Sequence, residues 1–473
     1  MRTADYISLV ILAMVVIFAG MASFRRGTGS RSFFSAGGTL PWWMSGLSLF
    51  MSFFSAGTFV VWGSIAYTSG WVAVVIQWTM CLAGIITGLF IAPRWHKTGV
   101  LTAAGYISGR FGLRTQKFYT ILFLLLSLFN SGVFLYPVGV VLHVSTGMSL
   151  PSCIIVVCII SITYVALAGF KAVVVTDVLQ FLILMTGVAV TVPLALAKAG
   201  GFQSWISALP DHFFSFTNGE WTPLFLMAYV MYHTVLLGGN WGFVQRFTSV
   251  KTPSDARKAS FLFSALYLIC PVLWMLPPMI YRAIDPSLHG LADENAYLMI
   301  CKDVLPAGLL GLMLLGIVCA TVSSLNSILN VTSAVITDEV YRKLKPASSD
   351  KELMTVARLS IIMVGLLSMC IALSVPHMGG VVNVVVSLAA LTGAPLFLPV
   401  IWSLFSRRQT SLSLMLVTLS GIAVSVFFKY AFPSVSGLSL SRGQEMILGV
   451  SVPVLLLAGW DIWCIIRSFG ADN

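Results

Sequence analysis

Apolar stretches follow one another along almost the whole chain, at residues 6–24, 41–64, 70–93, 118–144, 150–168, 172–196, 222–244, 258–283, 307–336, 353–375, 380–405, 411–432 and 446–466. Each is close to or above the ~20 residues that cross a ~30 Å hydrocarbon core. The pattern predicts an all-α integral membrane protein of about thirteen transmembrane helices, with no separate soluble domain. As a helix, the stretch 307–336 would run ~45 Å, so it tilts or projects beyond the bilayer.

Setting aside one leading and two trailing helices leaves two sets of five, at 41–196 and 222–405. Five is odd, so the second set runs opposite to the first, which is the arithmetic of a 5+5 inverted repeat. The expected divisions are 1–36 for the leading helix and its loop, 37–196 and 197–405 for the repeats, and 406–473 for the trailing pair.

Polar positions break the apolar pattern at few places. The first helix of the first set carries Ser52, Phe53, Phe54, Ser55, Ala56, Gly57 and Thr58 at its centre. The first helix of the second set carries His233-Thr234 and then Gly238-Gly239-Asn240. Interrupted helices at corresponding positions point to a midplane binding site, although glycine also marks close helix crossings. A third interruption runs from Ala320 to Ser327, where Ala320, Ser323, Ser324 and Ser327 share one helix face. A carbonyl and several neutral hydroxyls suit a hard monovalent cation, while small polar residues also serve close packing. Asp177 stands inside a span, where a carboxylate costs roughly 2.5–3.5 kcal/mol on insertion scales. Lys171, six positions away, does not share its helix face, so Asp177 is expected on an ion path.

Composition agrees: 58% of residues are hydrophobic, 9% are charged, and mean hydropathy is +0.95, which excludes a soluble domain. With the N-terminus outside and the C-terminus cytoplasmic, 21 of the 27 Lys and Arg fall on the inner side. That asymmetry accounts for the net charge of +11 without a nucleic-acid partner. Phe24-Arg25-Arg26 after the first span reads as a positive stop, so that helix is expected to be retained. The eight cysteines show no CxxC spacing and are expected to pack rather than pair. No HExxH, no GxSxG and no paired carboxylates occur in the spans, so no catalytic residues and no enzyme are expected. A receptor would append a signalling domain, whereas the chain ends soon after its last span. The outer loops hold no N-x-S/T acceptor, in keeping with a bacterial inner membrane.

The segment Gly169-Phe170-Lys171-Ala172-Val173 through Thr176-Asp177-Val178-Leu179-Gln180 resembles the signature of the sodium:solute symporter family. So do Gly37-Gly38 with Trp42-Trp43, Gln245-Arg246 with the basic loop 251–258, Leu305–Leu312 leading to Ala320–Ser327, and Asp338-Glu339-Val340-Tyr341. These motifs keep the family's order over about 37–341. The resemblance implies a leucine-transporter-type fold and Na+-coupled symport by alternating access. Solute and sodium would enter from outside, and ions would leave past Ser324 and Asp177. It further implies a sodium site made by carbonyls of Met51, Phe54 and Ala320 with the hydroxyls of Ser323 and Ser324. Some members hold a second sodium at positions matching Asp177, Asn326 and Ser327. Each ion adds ~2.3 kcal/mol of driving force per 100 mV. For the solute, the candidates are Phe53, Ser55, Thr58, Gln77, His233, Asn240 and Tyr267, with helix packing as the alternative reading of His233. Here the sequence departs from the bacterial sugar transporters, which carry Glu and Gln where Gly57 and Thr58 stand. No arginine is apparent at midplane to clamp a carboxylate, so a sugar-like solute is favoured. An organic anion or amino acid (sialic acid, a monocarboxylate, proline) and an uncoupled uniporter or channel are the alternatives. A monomer is expected to function alone.

Overall fold

In hydrocarbon every backbone N–H and C=O must find its partner within the segment, and an α-helix achieves this locally. The computed structural model describes residues 2–22, 38–100, 102–375, 393–438 and 440–471, and these are helical almost throughout. The expected span 380–405 enters this description only at Gly393, and Arg25, Arg26, Arg31 and Gly37 lie outside it.

The chain begins with α1 (Thr3–Ala22) and the bent pair α2 (Trp42–Phe53) and α3 (Ala56–Ser69). Then come α4 (Val72–Lys97), α5 (Ala103–Thr146), α6 (Leu150–Ala166) and α7 (Phe170–Lys198). The second half holds α8 (Pro223–Gly239), α9 (Trp241–Thr248), α10 (Pro253–Ile284), α11 (Leu309–Leu344), α12 (Asp350–Ser374) and α13 (Gly393–Ser403). The trailing helices are α14 (Ser411–Ser436) and α15 (Gly443–Ser468). Among the described residues, eight helices are long and apolar enough to cross a membrane, and the bent pair makes a ninth such segment. Four shorter apolar helices, Thr3–Val16, α6, α8 and α13, stand at further positions where the hydrophobic pattern expects spans.

Two boundaries have local causes. Tyr164 and Thr176 join their hydroxyls at 2.8 Å although twelve residues separate them. A straight helix would hold them ~18 Å apart, so the chain doubles back between α6 and α7. In α5, Gly112 takes φ +85° and kinks the helix. This places an extra helical arm before the expected start at 118. The arm carries Arg110, which donates to the carbonyls of Ser403 and Ser406. It is helical but too charged to read as a span.

Helix α11 is the axis of the molecule. Its most apolar window is 78% buried, against 28% in α14 and 22% in α15. It lies closely along α7, where a Cβ at Gly187 would meet Met313 Sδ at 2.8 Å and one at Gly316 would meet Leu184 Cα at 3.1 Å. All eight cysteines are free thiols, six of them buried.

The first turn of α11 is held by α1. Asp5, only 2% exposed, accepts from the backbone N–H of Gly308 at 2.6 Å and of Gly311 at 3.4 Å through Oδ1. Ser8 Oγ donates to Gly308 O at 2.7 Å. A carboxylate here satisfies orphan donors and complements the helix dipole. A side chain at Gly311 would come within 2.1 Å of Asp5 O, so only glycine lets the two helices meet. Asp5→Ala is expected to cost about 1–2 kcal/mol, as loss of an N-terminal cap does. A thermal melt of the detergent-purified protein checks this, and an unchanged melting temperature would remove the capping role.

Candidate functional site

The site begins with two residues that leave the helix. Phe54 (φ −89°, ψ 136°) and Ser55 (φ −154°, ψ 173°) are extended, and α2 and α3 meet there at 63°. The run Ser52–Ser55 lacks the apolar continuity of the flanking turns, and Thr58 supplies a cap by accepting from Ser55 N–H at 3.3 Å. Ala56 N–H, the next orphan, donates to Thr321 Oγ1 of α11 at 2.7 Å. The break is therefore fastened to α11 by a polar bond that neither helix could make alone. The corresponding helix of the second half is also broken. Asn240 (φ −64°, ψ 128°) separates α8 from α9, and its Oδ1 caps α9 by accepting from Gly242 N–H at 2.9 Å.

Freed carbonyls of the first break converge on Ser324. Its Oγ lies 2.6 Å from Phe54 O, 3.1 Å from Ser52 O, 3.4 Å from Met51 O and 3.4 Å from Ala320 O. A hydroxyl carries one proton and cannot serve four carbonyls. An excess of neutral acceptors around one point is the donor set of a hard cation. Four of the five residues expected to hold sodium, Met51, Phe54, Ala320 and Ser324, are thus brought together. The fifth, Ser323, turns away and donates to Asp177 Oδ1 at 2.5 Å.

Asp177 is 1% exposed and accepts a second hydroxyl, Ser48 Oγ, at 2.5 Å. Lys171 is exposed, so it does not neutralise this carboxylate. The nearby cation is Arg246, 0% exposed, whose Nε donates to the same Ser48 Oγ at 3.2 Å. Its Nη1 donates to Gly242 O at 2.7 Å and its Nη2 to Ser327 Oγ at 2.6 Å. Ser327 lies 3.2 Å from Ser52 Oγ. The hydrophobic pattern does not show that an arginine is buried in the core beside Asp177. In the sequence Arg246 merges with the basic loop 251–258, but the break at Asn240 turns α9 inward and carries it into the core. The readable signal for Ser48 and Ser52 was their spacing of four on an otherwise apolar helix. Asn326 does not join this network, because neither of its amide atoms has a hydrogen-bond partner among the described residues.

The residues expected for the solute are not all gathered at one point. Phe53 stacks on Phe243 with ring centroids 4.0 Å apart and meets Phe263 at 5.3 Å. Tyr267 packs on Phe263 at 4.7 Å and on Phe50 at 5.0 Å, which extends this aromatic wall. Gln77 is 3% exposed and its amide nitrogen has no partner among the described residues. His233 instead pairs with Thr79 Oγ1 at 3.0 Å and lies against Tyr229. Thr58 and Asn240 serve as helix caps. The arrangement offers an aromatic face built on Phe53, Phe243, Phe263 and Tyr267, and separately a buried amide on α4 at Gln77.

A family model for the sodium:solute symporters matches residues 33–421. The chain belongs to that family. This symporter is therefore an integral membrane transporter from a sodium-coupled family of small-solute carriers. It is 28% identical over 471 residues to the sodium/glucose cotransporter of Vibrio parahaemolyticus, covering 90% of this chain and 85% of that one. It is 24% identical over 379 residues to the sodium/sialic acid symporter SiaT of Proteus mirabilis, covering 77% and 76%. Among solved structures, a Na+-coupled sialic acid symporter in a substrate-bound, outward-open state superposes with a TM-score of 0.83 at 22% identity, covering 96% of both chains. The nucleobase-cation symporter Mhp1 superposes with a TM-score of 0.57 at 14% identity, covering 93% of this chain and 96% of that one. The symporter has the leucine-transporter-type fold that the sequence implied.

Proposed function

We propose that this symporter carries a small, neutral, sugar-like solute together with sodium by alternating access. The observation that carries the reading is the convergence of Met51, Ser52, Phe54 and Ala320 carbonyls on Ser324 Oγ. All these oxygens are uncharged, so sodium would be held firmly enough to bind and loosely enough to leave. Because the ligands come from both the α2–α3 break and α11, ion binding favours whichever conformation keeps these two elements together. An ion can promote solute binding only through such a difference between states.

The aromatic wall of Phe53, Phe243, Phe263 and Tyr267 and the separate Gln77 amide support a polyol, which offers apolar ring faces and hydroxyl edges. Arg246 is committed to protein oxygens beside Asp177, so it does not serve as a clamp for a solute carboxylate. The charge asymmetry supports an outer N-terminus and a cytoplasmic C-terminus.

Uptake into proteoliposomes from a panel of labelled sugars, sialic acid, amino acids and monocarboxylates tests the reading. One sugar is expected to overshoot its equilibrium level with an inward Na+ gradient and not with K+. Overshoot of a carboxylate instead would replace the substrate class, and equilibration whatever the cation would replace symport by a uniporter or channel. A second check uses Gln77→Leu, which removes the unpaired amide. It is expected to raise the half-saturating solute concentration about tenfold, as loss of one buried hydrogen bond does, with sodium affinity unchanged.

A further inference from the structure

The two trailing helices enclose a cleft far from the ion and solute residues in the chain. A cavity of about 490 Å³ opens between the start of α14, at Thr410 and Leu412, and the end of α15, at Trp460, Trp463 and Arg467. The Arg467 guanidinium lies over the Trp463 ring, 5.4 Å from its centroid, and pairs with no carboxylate among the described residues. Asp461, one and a half turns back along α15, is already engaged. It accepts from Trp402 Nε1 at 2.9 Å, Ser406 Oγ at 2.8 Å and Gln409 Nε2 at 2.8 Å. Trp460 meets Trp463 with ring centroids 5.3 Å apart, and its sheltered indole N–H has no acceptor among the described residues. Thr410 caps α14 by accepting from Ser413 N–H at 3.2 Å, so the cleft also lies at the positive end of that helix's dipole. From Leu412 an exposed apolar lane continues along α14 through Leu416 and Leu419, on one helix face. A free cation and an unused donor thus stand at the head of a greasy track.

We propose that this cleft binds one anionic phospholipid, its phosphate at Arg467 and its acyl chains along Leu412, Leu416 and Leu419. A guanidinium takes a phosphate through two parallel N–H bonds, and stacking on an indole holds it ready to do so. Tryptophans mark the depth of the headgroups, and basic clefts between membrane helices are headgroup sites. A zwitterionic lipid brings its own cation to the site, whereas an anionic one leaves a charge for Arg467. On the orientation proposed above, this end of α15 lies at the inner leaflet. The consequence is mechanical. Helices α14 and α15 are the least buried of the eight long spans. Their polar ties to the core include Tyr119 Oη with Thr418 Oγ1 at 2.6 Å and the Asp461 bonds. A lipid seated between them touches both and holds the pair together. The inference concerns the lipid-facing surface and stands apart from the sodium reading.

Native mass spectrometry of the purified full-length protein, titrated with phosphatidylglycerol or phosphatidylcholine of equal chain length, tests this. The wild type is expected to hold one phosphatidylglycerol about fivefold more tightly than phosphatidylcholine, the effect of one basic side chain on an anionic lipid. Arg467→Gln should lose that preference. Lys351→Gln, which removes an exposed charge at the start of α12, should keep it. No preference in the wild type, a preference that survives Arg467→Gln, or equal loss in both variants would overturn the proposal. Cys464, which lines the cleft, gives a second readout through peptide mapping of maleimide alkylation, with the exposed Cys370 of α12 as reference. Phosphatidylglycerol should slow labelling of Cys464 more than phosphatidylcholine does, and leave Cys370 alike in both. Inorganic phosphate at the same concentration should not protect. Equal protection by inorganic phosphate would make this a site for a soluble anion and overturn the lipid assignment. Should Arg467→Gln fail to fold, the wild-type preference and the Cys464 labelling still decide the matter.

Discussion

Ser324→Ala is expected to raise the Na+ concentration for half-maximal uptake about ten- to a hundredfold. Ser324 Oγ stands among the carbonyls of Met51, Ser52, Phe54 and Ala320, and alanine removes the oxygen on which they converge. An interaction between a hydroxyl and a charge contributes roughly 1.5–3 kcal/mol, which converts to that range. The protein should fold normally, because the α2–α3 break keeps its separate fastening through Thr321 Oγ1 and Ala56 N–H. Uptake against Na+ concentration in proteoliposomes, beside a thermal melt, separates the two effects. A large drop in melting temperature with an unchanged sodium dependence would mean that Ser324 only packs the helices. Ser323→Ala should act differently, since Ser323 donates to Asp177 rather than entering the nest. Its effect on sodium affinity should be the smaller of the two.

Asp177→Asn is the variant with the largest expected effect on stability. It leaves the fully buried Arg246 without its nearby opposite charge. Breaking a buried pair in contact costs about 3–5 kcal/mol, and this pair, bridged by Ser48, should lose a substantial part of that. Little folded protein should be recovered. Adding Arg246→Gln removes the orphaned charge as well, so the double variant should regain much of the lost stability. A double-mutant cycle on melting temperature reads the coupling, and strictly additive effects would show that the Ser48 bridge does not link these charges energetically.

Much of this architecture was readable from the order of apolar and polar residues. Spans along α4, α10, α11 and α12 stand near where the hydrophobic pattern placed them, because bilayer thickness and backbone satisfaction leave a long apolar run little choice. The break after Phe53 was legible for a similar reason, since Ser52, Ser55 and Thr58 give an apolar helix no cause for polarity at its centre. The face shared by Ala320, Ser323, Ser324 and Ser327 follows from helical periodicity alone.

Tertiary structure decided which of those hydroxyls work together. Periodicity put Ser323 and Ser324 on one face, but neighbouring residues on a helix differ by ~100° in direction. The packing of α2 and α7 on either side of α11 sends Ser324 to the carbonyls and Ser323 to Asp177. Arg246 shows the same limit more sharply. By sequence it begins a basic loop, and only the turn at Asn240 makes it the counter-charge of a residue on another helix. A chain's hydrophobic pattern fixes what enters the membrane, because transfer from water is a property of each segment by itself. Which buried charges meet depends on how separate segments cross, and no local pattern contains that.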